Sequence, residues 1–147
     1  MTVRIRRDYR IGCSPDEVTD FLLDHRNELR WNPEMQSVER LDGGPLGPGA
    51  RFLDTARVGG RRVHVTVVLL DHEPGRLVRF SGDTSTMDLC TTYAVQPAEG
   101  GALLDFAFEA TLRGAARLAP FVVRRLMERR FDRILPAACR ILENTAA

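Results

Sequence analysis

Residues 2–12 alternate: Val3, Ile5, Tyr9 and Ile11 fall on one face, Arg4, Arg6, Asp8 and Arg10 on the other. A period of two marks a strand with one buried and one wet side. Six further stretches carry strand patterning, at 35–41, 51–58, 62–70, 77–82, 87–95 and 102–112. The last is the most regular. Leu104, Phe106, Phe108, Ala110 and Leu112 point one way; Leu103, Asp105, Ala107, Glu109 and Thr111 point the other. Gly59-Gly60 suits a two-residue hairpin and Pro74-Gly75 a type II turn, whereas residues 43–49 form a looser glycine- and proline-rich loop. Strands joined by such short links pair antiparallel.

The pattern changes to a period of 3.6 twice. After the first strand, Ser14 is placed as an N-cap, Pro15 fits the first helical position, and Glu17 completes a capping box. Val18, Phe21 and Leu22 supply the inner face of that helix. A second short helical piece around 27–29 ends at Trp31-Asn32-Pro33, because a residue before proline avoids the α region. The longer change covers 118–142. There Val123, Met127, Phe131, Ile134, Ala138 and Ile141 make one apolar stripe, with Leu135 and Leu142 on its shoulder and charged residues opposite. Pro120 marks its first turn and residues 115–119 a lead-in. Pro136 lies inside the pattern, removes a hydrogen bond to the Asp132 carbonyl and predicts a kink. A helix of that kind needs a broad apolar partner, and the sheet is the partner on offer. No repeat, low-complexity tract or linker divides residues 1–147, so a single α+β domain is expected.

Composition narrows the chemistry. All 21 basic residues are arginine, which excludes a lysine Schiff base, a lysine general base and a P-loop. A formal charge of +1 gives no global attraction to nucleic acid or to an anionic membrane. The arginines of the last helix have no aromatic stacking platform beside them, so no nucleic-acid partner is expected, and an acidic partner or membrane-surface contact is an equally weak reading. Cys13, Cys90 and Cys139 are odd in number and form no CxxC pair, so they suit a reducing compartment. No apolar run reaches 18 residues, and the N-terminus is a charged alternating strand rather than a leader. A cytoplasmic protein, monomer or homodimer, is expected.

His25, His64 and His72 lie apart in sequence without metal-ligand spacing, so no metal is expected. No GxSxG and no GxGxxG occurs, and no cofactor is indicated. Parity places three polar groups on apolar faces. Arg7 either keeps its head at a wet rim, the preferred reading, or enters a pocket as an anion partner. Asp54 shares its side with Phe52, Ala56 and Val58. An inward carboxyl would be a general acid or base, but a rim position or an outward-turning bulge is preferred. Tyr93, like Tyr9, offers an inward hydroxyl. Trp31, the lone tryptophan, either plugs the small helices onto the sheet, the preferred reading, or edges a pocket.

The order strand, two small helices, six strands, long helix resembles the helix-grip arrangement. Local motifs agree: residues 11–18 (IGCSPDEV), Trp31-Asn32-Pro33, residues 47–52 (GPGARF) and residues 73–77 (EPGRL) resemble those of the SRPBCC (START-like) superfamily, in its polyketide cyclase/dehydrase and lipid transport branch. The resemblance spans the chain. It implies a seven-stranded curved antiparallel sheet wrapped around the C-terminal helix, with two short helices after the first strand. It also implies a cavity for a small hydrophobic ligand, lipid-like or aromatic, to be bound or transported. By parity the lining would be Phe52, Phe80, Leu89, Tyr93, Phe106, Phe108, Met127 and Phe131, with Trp31 at the edge. Such pockets typically span roughly 300–1,000 Å³. The alternative is a polyketide aromatase/cyclase or dehydratase that uses Asp54, Tyr93 or Arg7 in the same cavity. Fold alone does not choose between them.

Overall fold

The computed structural model describes residues 1–146. Seven strands form one antiparallel sheet: β1 (Thr2–Ile11), β2 (Met35–Arg40), β3 (Arg51–Val58), β4 (Arg61–Glu73), β5 (Leu77–Asp83), β6 (Met87–Ala98) and β7 (Gly101–Leu112). Their spatial order is β1-β7-β6-β5-β4-β3-β2, so only β1 and β2 lie at edges. Sequential links explain the run from β2 to β7, and β1 adds to it by pairing with β7 (Thr2 beside Thr111). Val58 and Arg61 pair across Gly59-Gly60, whose φ values of 58° and 79° are those of a type I′ turn. Gly75, at φ 73°, closes the β4–β5 turn, with Arg76 N donating to Glu73 O over 3.0 Å.

β4 runs three residues beyond the span its alternation suggested. A register shift between Leu69 and Asp71 absorbs the break. Leu70 bulges outward, and pairing resumes to Glu73.

Helix α1 (Pro15–Leu23) starts on the expected capping box: Glu17 N donates to Ser14 Oγ over 3.2 Å, and Ser14 N to Glu17 Oε1 over 3.0 Å. A 3₁₀ turn, His25–Arg30, follows, capped by the Asp24 carboxylate. It begins earlier than the 27–29 piece expected, and that shift matters for the site. After a short 3₁₀ lead-in, Gly114–Leu118, helix α2 spans Pro120–Ala146 and passes through Pro136 as one element.

The apolar faces of β1 and β5–β7 meet α1 and α2 in one core. Its deepest side chains include Ile5, Val18, Leu69, Phe106, Leu112 and Leu135. Polar ties fix α2 over the sheet. Arg7 Nε lies 2.7 Å from Asp132 Oδ1, Arg130 Nε 2.9 Å from Glu34 Oε1, and Gly12 N donates to Glu143 Oε2 over 3.1 Å. The apolar stripe of α2 is not covered evenly. Ile134, Leu135, Ala138 and Leu142 are buried, whereas Val123, Met127 and Phe131 are half-buried.

Candidate ligand-binding site

Between the concave sheet and α2 lies a cavity of about 140 Å³. Trp31, Phe80, Leu89 and Tyr93 line it, as do Phe106 and Phe108 of β7 and Met127 and Phe131 of α2. Phe131 stands edge-on to Phe106 at 4.9 Å between ring centres and is tilted against Phe108 at 4.8 Å. Phe52, expected among the lining, is fully buried behind it, its ring 5.5 Å from that of His25. The volume is below the range expected from the resemblance, because rings from both layers fill much of the space.

One end is polar. The 3₁₀ turn has three residues per turn, so side chains three apart eclipse one another. His25, Glu28 and Trp31 therefore present one ridge to the cavity. Opposite them, Asp54 faces inward on β3 and is 3% exposed. The rim position preferred from sequence is thus corrected: strict alternation with buried Phe52 and Ala56 carries the carboxyl in. Its Oδ2 lies 2.6 Å from His25 Nε2, and Glu28 Oε1 lies 3.9 Å from His25 Nδ1. Glu28 Oε2 accepts from Asn32 Nδ2 over 3.0 Å. Asp54 Oδ1 is buried with no hydrogen-bond partner among the described residues.

Burial pulls the His25 imidazole down, but the bond to Asp54 and the charges of Glu28 and Asp24 outweigh it and leave it above its ordinary value. Burial pushes Glu28 up, against the pull of His25. Tyr93 is pushed far up by burial and by the Glu28 charge, so its hydroxyl stays protonated. That hydroxyl makes no hydrogen bond with a described residue and is free to donate into the cavity.

Arg7 does not reach this end. It lies at the rim between Asp132 and Glu128 of α2, which raise its pKa, and acts as a clasp. Tyr9 is half-buried outside the lining. His64 is exposed on β4, as its parity suggests. Sequence reasoning passed over His25, because no second His or Cys stands at ligand spacing on its own element. The repeating His-x-x-Glu-x-x-Trp spacing was the available signal.

His25, Glu28 and Asp54 each offer a ligand atom within 4.8 Å of one another. The 2.6 Å between Nε2 and Oδ2 is nevertheless a hydrogen-bond distance. Two ligands of one tetrahedral ion at ~2.0–2.1 Å stand roughly 3.3 Å apart. As arranged, His25 and Asp54 share a proton.

The model of the polyketide cyclase / dehydrase and lipid transport family matches residues 2–145. The chain belongs to that family. Its fold is that of the SRPBCC, START-like superfamily. TTHA0849 from Thermus thermophilus is similar at 17% identity over all of both chains, with a TM-score of 0.80. The Zhui aromatase/cyclase from Streptomyces sp. R1128 is similar at 16%, over 99% of this chain and 94% of that one, with a TM-score of 0.77. A START superfamily protein from Mycobacterium smegmatis is similar at 12%, over 99% and 96%, with a TM-score of 0.76. At such identities the likeness is one of fold. No curated protein matches by sequence. No described helix is long and apolar enough to cross a membrane.

Proposed function

We propose that this member of the family binds a small, largely apolar molecule of about one ring, carrying an oxygen that accepts a hydrogen bond from Tyr93. The cavity carries the reading: about 140 Å³, aromatic and aliphatic walls, and polar groups gathered at one end. A dry engineered cavity of about 150 Å³ is large enough for benzene. Trp31, Phe80, Leu89, Phe106, Phe108, Met127 and Phe131 would hold the ring, and Tyr93 would orient it. Carriage or sensing of such a ligand both follow from binding alone. Three free cysteines fit a cytoplasmic setting, with the chain acting as monomer or homodimer.

The test is calorimetry with matched pairs, each a hydrocarbon and its phenol or ketone. Tyr93→Phe is expected to weaken the oxygenated member about tenfold and leave the hydrocarbon unchanged. Equal losses for both members would remove Tyr93 from the site.

The His25–Asp54 contact of 2.6 Å favours a second reading, an aromatase/cyclase or dehydratase working in the same cavity. An imidazolium held by a buried carboxylate is suited to protonate a leaving hydroxyl, and the neutral imidazole to take a proton beside a carbonyl. Incubation with β-hydroxy ketones and short poly-β-ketones, followed by mass spectrometry for loss of water, tests it. Asp54→Asn should abolish turnover and keep binding. Binding without turnover in the wild type would leave the carrier.

A further inference from the structure

The first two turns of α2 and the 3₁₀ lead-in expose four large apolar side chains: Leu118 at 85%, Phe121 at 85%, Val122 at 57% and Leu126 at 59%. Exposed apolar groups are ordinary when scattered, but these lie within nine residues of one another in sequence. At 100° per residue, Phe121, Val122 and Leu126 share the outer half of α2 with Arg125 and Arg129, opposite the side that Met127 and Phe131 turn to the cavity. Arg117 precedes them on the lead-in. Arg117, Arg125 and Arg129 enter no ion pair among the described residues, whereas Arg124 is met by Glu128 and Arg130 and Arg133 by Glu34. Residues 113–127 contain no acid, and the nearest acids on the helix, Glu128 and Asp132, are engaged by Arg7.

We propose that this face docks on an anionic lipid surface, its apolar side chains entering the headgroup boundary and its free arginines meeting lipid phosphates. A convex helical ridge with arginine heads that extend past a band of apolar groups suits a deformable interface. A second copy of the chain fits poorly. A two-fold contact through this patch would set Arg117, Arg125 and Arg129 against their own images, with no acid on the patch to separate them. The docked face begins the same helix whose Met127 and Phe131 cover the cavity, so docking would bring that cover to the membrane. The inference does not depend on which ligand the cavity takes.

The experiment is flotation of the full chain with vesicles of phosphatidylcholine alone or with about one-third phosphatidylserine, at low and at high salt. Binding is expected only to the anionic vesicles and should weaken sharply at ~1 M salt, where screening reaches only about 3 Å. The double change Arg125→Gln and Arg129→Gln should weaken partitioning roughly twenty-five-fold, at about fivefold per arginine. Phe121→Ser with Leu126→Ser should abolish it while the melting temperature holds, since both side chains are already solvated. Equal binding to neutral vesicles, or none to anionic ones at low salt, would overturn the proposal. So would a concentration-dependent dimer broken by Phe121→Ser in a chain that does not float. Capture by an acidic protein surface, such as immobilised polyglutamate, without any vesicle binding would also overturn it.

Discussion

His25 sits between two carboxylates, with Asp54 at Nε2 and Glu28 on the Nδ1 side, and only one of the three was visible in the sequence. Both His25 and Glu28 are raised above their ordinary values of 6.5 and 4.5, so the folded chain holds more protons at this site than the unfolded one. Stability from these groups is therefore complete below 4.5 and is lost progressively as pH rises through and beyond 6.5. Glu17, Asp24 and Asp132 act oppositely. Their lowered values give stability that is lost only as pH falls below the ordinary carboxylate range. The melting temperature should fall from about pH 5 to about pH 8, and Glu28→Gln, which still accepts from Asn32, should flatten that slope. A wild-type profile that rises across the interval would exclude the shared-proton arrangement. The side Asp54 takes was legible because a strand's period of two states it, although its burial was not, and a rim position was preferred. His25 was not legible, because a six-residue 3₁₀ turn has no periodicity long enough to recognise and its start is set by the Asp24 cap. Parity is silent on depth: it assigns Phe52 to the correct face, but the ring lies behind the cavity lining.

The same distinction governs α2. Its stripe marks the correct face from Val123 to Leu142, yet periodicity reports direction around a helix and not how far the covering sheet extends along it. The C-terminal half is buried and the N-terminal turns are solvated, and this is open to mutation. Leu135→Ala, at 2% exposure and within the core, should cost about 2–5 kcal/mol in denaturant unfolding. Leu126→Ala, at 59% exposure, should stay within ~0.5 kcal/mol. Comparable losses at both positions would mean that the first turns are covered in solution. The strands needed no such correction. Alternation and turn residues marked their number and antiparallel pairing, while the place of β1 beside β7 was not legible; the remaining errors were ends, of which the Leu70 bulge in β4 is the clearest: a skipped residue breaks alternation while the ladder continues.

At the scale of the molecule, the size of the cavity ranks the ligand classes. The sheet and α2 leave about 140 Å³, enough for a single ring and too little for a sterol or a long acyl chain unless α2 shifts outward. Met127 and Phe131 are half-buried, and α2 is clasped to β1 through Arg7 and to the segment before β2 through Glu34, so widening requires breaking ion pairs at its flanks. A thermal-shift series graded by ligand size reads this directly. A matching ligand at a hundred times its dissociation constant adds about 2.7 kcal/mol, which for a domain of this length is roughly 5–10 °C. Single-ring compounds should give that shift, and fused polycyclic or sterol-like compounds should give almost none. Leu89→Phe, which adds bulk at the lining, should cancel the single-ring shift while leaving the unliganded melting temperature within a few degrees. If the larger ligands stabilise most, and Arg7→Gln increases their shift further, the clasped helix is a gate and the cavity described is its closed state.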